Sequence, residues 1–321
     1  MASEVSETGP RHGGTDGELE RRVVLVALWQ MSRPAQLALI ALVYAFGVAM
    51  AFGRGAEAGA VAVGLAALLP TAASVHYANE YADAETDALT DRTPFSGGSG
   101  ALAESGLSRR LALWAAVASG AIGLTLITGF ASPLGGRALS TVPAALLVGI
   151  LVAGWQYSVG PLRLAWQGLG EATNAVLGGV ALPLYGFAVV AGEVTAAAAL
   201  ATLPFGATVF VNLLETTWPD RRADAAVGKR TLATRWSPRR LRAAYALGGA
   251  TAAVATVALV GRALPPVVAA ATLLPLVGLV PGYRRFTRRE EPLPAVATMV
   301  AMAATTTVAW GFVALWVRPG G

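Results

Sequence analysis

The chain has 321 residues, of which 55% are hydrophobic and only 13% charged, about half the charged share of an ordinary soluble domain. Cysteine is absent, which excludes disulfide and thiol chemistry. A net charge of +5 invites a nucleic-acid reading, but the positions of the basic residues account for it without that partner.

Residues 1–22 read as a disordered cytoplasmic tail, because Ser, Glu, Thr, Gly, Asp and Arg dominate and few large apolar groups could bury a core. No basic start, apolar stretch and small-residue cleavage site follow one another there, so the first span is expected to direct insertion. Residues 23–321 read as a single transmembrane domain. A span needs roughly 20 apolar residues, and windows at about 35–53, 57–78, 111–130, 141–157, 173–191, 197–214, 243–261, 264–281 and 295–316 qualify. The runs are continuous, without period-two alternation, which selects helices over a barrel. The fold class is therefore all-α, a polytopic bundle of about nine transmembrane helices in a lipid bilayer.

Arg33-Pro34, before the first span, suits a helix start with Pro in the first turn. The second span runs out into "HYANEYADAETDALTDRTPFSGGSG", His76–Gly100, where Glu80, Asp83, Glu85, Asp87 and Asp91 precede the first base, Arg92. On a helix Asn79, Asp83 and Asp87 share a face. His76 stands alone and reads as a surface polar residue, and "PFSGGSG" lacks the Lys and spacing of a P-loop, so it reads as a flexible cap. Glu171 opens the fifth span as a helix N-terminal charge. After the sixth span comes "NLLETTWPDRRADAAVGKRTLATRW", Asn212–Trp236, where Asp220 and Asp224 repeat the four-residue step. Gly228 would let the chain turn so that Lys229, the only lysine, and Arg230 point back toward the acids. Carboxylates this crowded repel unless a cation lies between them, and Mg2+, which takes one or two carboxylates plus waters and phosphate oxygens, suits them. Two such sites face to face would hold a diphosphate.

If the N-terminus is cytoplasmic, 20 of the 24 Lys and Arg residues fall on that side, and only Arg54, Arg137, Arg262 and Arg318 fall opposite. The positive-inside rule then gives an N-in, C-out protein of the cell membrane with its acidic loops in the cytoplasm. Trp29, Trp155, Trp166, Trp218, Trp310 and Trp316 lie at span ends and read as interfacial anchors.

The paired acidic motifs resemble those of the UbiA superfamily of intramembrane prenyltransferases, whose first motif is Asn-Asp-x-x-Asp-x-x-x-Asp and second Asp-x-x-x-Asp. Here Glu80 replaces the usual first Asp. "RTPFSGGSG" at Arg92–Gly100, "YSVGPLRLAWQGLGE" at Tyr157–Glu171 and Gly-Lys-Arg-Thr at 228–231 are similar to the menaquinone branch, although Thr216 and Thr217 stand where that branch has asparagine. The resemblance implies a helix bundle around a central cavity and Mg2+-dependent transfer of a polyprenyl group from its allylic diphosphate to an aromatic acceptor, 1,4-dihydroxy-2-naphthoate. Asn79, Asp83 and Asp87 would hold one ion, Asp220 and Asp224 the other. Arg92, Tyr157, Arg163, Lys229 and Arg230 would meet the diphosphate, and Asp83, Asp220 and Lys229 would carry the catalysis. Other family acceptors are a glycerol-phosphate ether lipid, hydroxybenzoate, homogentisate or haem. A transporter would instead place ionisable groups at mid-membrane, where this sequence has almost none.

Overall fold

In a computed structural model, residues 13–90, 92–93, 97–132 and 139–316 are described. Helix α1 (Gly13–Met31) meets α2 (Pro34–Ala51) at Ser32–Arg33, where Arg33 takes a left-handed φ of 54° and Pro34 opens the new helix. Residues 13–22, expected within a tail, are thus helical: the apolar run that begins at Val23 carries α1, and Ala27 and Met31 bury it. There follow α3 (Ala58–Asp87), α4 (Ala101–Ser105), α5 (Arg110–Ala131) and α6 (Thr141–Ser158). The fifth span is built from α7 (Gly170–Val176), a π turn at Leu177–Ala181 and α8 (Leu182–Ala191). Then come α9 (Ala196–Thr217), α10 (Arg221–Ala226), α11 (Leu232–Arg235), α12 (Pro238–Ala258), α13 (Pro266–Leu273), α14 (Leu279–Arg285) and α15 (Leu293–Trp316). Among the described residues nine helical stretches are long and apolar enough to cross a membrane, one for each window read from the sequence.

Helix α3 packs on α5 and α6, α2 on α8 and α15, and α9 on α12 and the fifth span. Lipid offers helices no hydrophobic drive to associate, so close backbone approach must supply it. Glycine permits it here. A Cβ on Gly47 would run into the Pro183 carbonyl, and one on Gly186 into the Tyr44 carbonyl, so α2 and α8 touch backbone to backbone. Beside this crossing, Tyr44 and Tyr185 donate their hydroxyls to the Val61 and Gly64 carbonyls at 2.8 and 2.7 Å, tying both helices to α3.

The two ends of the bundle differ. At one end Arg54 pairs with Glu193 and Ser140 bonds Gly192; at the other converge the last turns of α3, α6 and α9 and the start of α15. There the Glu215 carboxylate accepts the Ala295 amide at 3.0 Å, fastening α9 to α15. The tryptophans divide in the same way. Trp29 and Trp316 are exposed, as anchors should be, whereas Trp155 donates to Ser74 at 2.9 Å and Trp218 is buried against Phe286. A tryptophan at a span end can equally face inward, and these two do.

Gly47→Val should destabilise the protein toward the upper end of about 1–3 kcal/mol, because neither backbone can yield, while Gly311→Ala, with open space around it, should be neutral. Thermal aggregation of the two variants in one detergent checks this.

Candidate active site

Helix α3 has 30 residues, about 45 Å at 1.5 Å per residue, and so outruns a hydrocarbon core of about 30 Å. Its surplus is the turns carrying Asn79, Glu80, Asp83 and Asp87. The opposing acids follow α9: Pro219 cannot continue the helix cleanly, and Asp220 starts α10 while Asp224 lies one turn further on. Helix α10 closes in a Schellman turn: Lys229 N–H bonds the Asp224 carbonyl at 2.8 Å, Gly228 N–H bonds the Ala225 carbonyl at 3.2 Å, and Gly228 takes φ 79°. The chain reverses there as glycine at 228 leads one to expect, and Lys229 turns back over the acids.

The Lys229 ammonium lies 3.0 Å from Asp83 Oδ2 and 3.5 Å from Asp224 Oδ1, so one nitrogen joins carboxylates from both motifs. Asn79 Nδ2 donates to the same Asp83 oxygen at 2.7 Å and to Ser158 Oγ at 3.2 Å; Thr231 donates to Asp224 Oδ2 at 3.4 Å. Burial works against the charge on Lys229, but Asp83 and Asp224 outweigh it and hold the ammonium's pKa above its ordinary value. Burial, then the Asp224 charge, pushes Asp220 up to about 7, and burial pushes Asp224 up to about 6 although Lys229 pulls the other way. More negative charge is gathered than one lysine offsets.

Buried polar atoms are normally hydrogen-bonded, and exceptions mark places where something else binds. Asp83 Oδ1, Asp220 Oδ1 and Asn212 Oδ1 are buried without a hydrogen-bond partner among the described residues, and Asp224 Oδ1 faces only the Lys229 ammonium at 3.5 Å. No three acidic or histidine side chains converge closely enough among those residues to cage an ion by themselves. Mg2+ asks for no such cage, since it binds through one or two carboxylates and keeps waters or phosphate oxygens. The orphaned carboxylate oxygens fit it.

A glycine-rich segment covers the cluster. Ser99 donates its amide and hydroxyl to Glu80 at 3.0 and 2.7 Å, and Gly97 N–H bonds Asp220. Gly98, at φ 65°, leaves no room for a Cβ because the Asp87 carboxylate lies against it. Glu80 also accepts two bonds from Arg33 at 2.8 and 2.6 Å, so the residue in the usual first-aspartate position secures the α1–α2 junction and the covering segment. Pro94, Phe95 and Ser96 of that segment, like Asp91, lie outside the described residues.

The structure thus brings Asn79, Asp83, Asp224 and Lys229 together, with Asp87 and Asp220 a turn away. Tyr157 is within electrostatic reach of Lys229, Asp83 and Asp224 and packs on Gly170. Arg163 stacks on Trp166 with its guanidinium 4.1 Å from the ring centre, and the Lys229 ammonium is 5.9 Å from the same ring, so Arg163 sits at the rim. Two of the arginines expected at the diphosphate stand apart from the acids. Arg92 is half exposed and pairs with Glu104, which stands only twelve residues away on α4, instead of reaching the acids. Arg230 is exposed, and it is its amide that is used, donated to the Trp166 carbonyl at 3.2 Å. Sequence reasoning missed the Arg33–Glu80–Ser99 link, the Trp166 platform and Asn212, whose one visible signal is an amide inside the apolar run VFVNLL.

Residues 39–304 match the model of the UbiA prenyltransferase family. The fold is similar to a UbiA homologue from Archaeoglobus fulgidus bound to GPP and Mg2+, at 18% identity over 90% of this chain and 99% of that one, with a TM-score of 0.69. It is similar also to the apo structure of a UbiA homologue from Aeropyrum pernix K1, at 17% identity over 84% and 96% of the two chains, TM-score 0.63. A digeranylgeranylglyceryl phosphate synthase is 10% identical over 91% and 99%, TM-score 0.64. Comparison with curated proteins gives no match.

Replacing the lysine leaves Asp83 and Asp224 as buried charges without a counter-ion. Lys229→Met should cost about 3–5 kcal/mol at pH 8. Carboxyls with raised folded pKa values bind more protons folded than unfolded, so their contribution to stability falls as pH rises, and the variant should recover on acidification. Thermal unfolding in detergent should show a larger deficit at pH 8 than at pH 5.5; equal deficits would refute the pairing.

Proposed function

The chain belongs to the UbiA prenyltransferase family and is a prenyltransferase; on that premise we propose that it moves a polyprenyl group from an allylic polyprenyl diphosphate to 1,4-dihydroxy-2-naphthoate, as in menaquinone biosynthesis. The observation that carries the diphosphate part is the Lys229 ammonium held by carboxylates of both motifs. The acceptor is supported by Arg92–Gly100, Tyr157–Glu171 and the Gly-Lys-Arg-Thr run, which are similar to the menaquinone branch.

In the transfer, the bond between the prenyl C1 and the diphosphate oxygen breaks, its electron pair leaves with the diphosphate, a ring carbon attacks the allylic cation, and that carbon then loses its proton or, where it bears the acceptor's carboxylate, carbon dioxide, which restores the aromatic ring. Asn79, Asp83 and Asp87 on one side, and Asp220 and Asp224 on the other, would hold Mg2+, a reading supported by the similar fold solved with GPP and Mg2+. Bound there, the ions would neutralise charge on the departing diphosphate. Lys229 has three N–H donors; two meet Asp83 and Asp224, and the third is free for a phosphate oxygen. Arg163 extends the cationic rim, and Tyr157, in electrostatic reach of Lys229, would face the reacting carbons or the diphosphate. The apolar helices keep water from quenching the cation and lodge the isoprenoid tail.

The protein is a multi-pass membrane protein. The distribution of arginine supports a cell-membrane topology with N-terminus and site cytoplasmic, C-terminus opposite, and residues 23–321 working as one domain.

Membranes containing the protein should prenylate dihydroxynaphthoate in a Mg2+-dependent way, and Asp83→Ala or Asp220→Ala should lower the rate by about a thousandfold or more, in line with losing a main electrostatic stabiliser. A panel of aromatic and glycerol-phosphate acceptors decides the substrate: transfer to another acceptor alone would remove the menaquinone reading. Because the chain has no cysteine, topology can be tested on single-cysteine variants. Arg262→Cys should react with an impermeant maleimide in intact cells and Arg239→Cys only after lysis; the reverse pattern would overturn the orientation.

A further inference from the structure

Lys229 occupies its place through a short return loop, and loops need fixing. Three links tie that loop to the first turn of the fifth span and the stretch before it. Arg230 N–H bonds the Trp166 carbonyl at 3.2 Å, and Arg235 Nη1 bonds the Gln167 carbonyl at 3.2 Å. The third is Glu171 Oε1, which accepts the Leu232 amide at 2.8 Å in a buried setting, 61 residues away in sequence.

The third link stands out for two reasons. Leu232 is the first residue of α11, whose opening amides have no partner within the helix. A threonine at the N-cap would ordinarily satisfy one of them. Thr231 occupies that position, yet its hydroxyl is turned to Asp224 and makes no cap bond. Glu171 therefore supplies, from another span, an acceptor for the first of those amides, which an N-cap hydroxyl, reaching N2 or N3, would not meet. Glu171 is also only 2% exposed, and its Oε2 lacks a hydrogen-bond partner among the described residues, so the position keeps a carboxylate despite the cost of burying it. The sequence suggests a charge serving the α7 N-terminus; the side chain stands in that first turn, in reach of its own amide, and extends from there to α11 as well.

We propose that Glu171 is a positioning residue for Lys229: capping α11 holds the Gly228–Thr231 return in the one register that sets the ammonium between Asp83 and Asp224. What Lys229 does in the transfer rests on the function proposed above, whereas where Lys229 sits does not. The required element is an acceptor at the reach of glutamate. Glutamine meets it; aspartate is one methylene short; alanine removes it.

Lys229 is the sole lysine, so its side-chain amine can be followed directly. In detergent-solubilised full-length protein, acylation by an N-hydroxysuccinimide ester, read at the Lys229 peptide by mass spectrometry, should be slow in the wild type. Glu171→Ala should react about tenfold faster, the equivalent of one buried hydrogen bond, and Glu171→Gln should stay within about twofold of wild type. Glu215→Ala is the structural control: it releases the α9–α15 fastening without touching this loop, so it should lower the melting temperature and leave the acylation rate unchanged. If Glu171→Ala does not accumulate, Glu171→Asp carries the same test. A wild-type acylation rate in the alanine or aspartate variant, a glutamine variant as fast as alanine, or equal acceleration in Glu215→Ala would overturn the proposal. None of these readings depends on the acceptor, so a failed acceptor panel and a failed positioning role are told apart.

Discussion

The site depends on one ammonium between two carboxylates. At 3.0 Å, and at the effective dielectric of about 20 that suits protein sites, the Lys229–Asp83 attraction is worth about 5 kcal/mol. Removing the two ions from water costs several kcal/mol each, so the arrangement gains little net stability. Its value is geometric. Asp83 and Lys229 come from α3 and from the loop after α10, which share no local sequence, and the pair fixes their relative position. Everything else at this end of the bundle serves that distance: the Schellman turn aims the lysine, Asn79 shares with it one oxygen of Asp83, Thr231 holds the other oxygen of Asp224, and the glycine segment roofs the cluster.

The same region shows how a buried acid changes its task when its neighbours change. Glu80 sits between Asn79 and Asp83 in sequence, but on a helix it turns about 100° from Asn79 and about 60° from Asp83. Its carboxylate consequently meets Arg33 and Ser99 and not Lys229. Arg33 in turn holds a left-handed backbone, a conformation that costs a non-glycine residue about 1–2 kcal/mol and that the ion pair to buried Glu80 helps to hold. A chain of contacts thus runs from the α1–α2 junction through Glu80 and Ser99 to Gly97 and Asp220, linking the two motifs a second time, across the roof.

Much of this was legible in the residues themselves. Span number followed from apolar length alone, since lipid leaves the backbone no structure but a helix, and all nine windows reappear as helices. Asn79, Asp83 and Asp87 were readable because helical period places them on one face, and Lys229 because Gly228 permits a reversal that few other residues do. What escaped was pairing across distance. Nothing local announces that Arg33 will find Glu80 47 residues later, or that Glu104 will take Arg92 before the acids can. Trp155 and Trp218 failed as anchors for a related reason: position at a span end fixes depth, while rotation about the helix decides whether the indole meets lipid or a neighbouring helix.

The surplus length of α3 has one more implication. Because the helix is moored in the bundle by the tyrosine bonds near its start, its far turns behave as a mast of fixed height, and the elevation of Asp83 above the acyl chains is written into a residue count. Deleting one turn would sink the acids by about 5.4 Å toward the oil, and adding one would hoist them toward open water. A single helix therefore sets the altitude at which a greasy tail can stay dissolved in lipid while its charged head meets the aqueous edge.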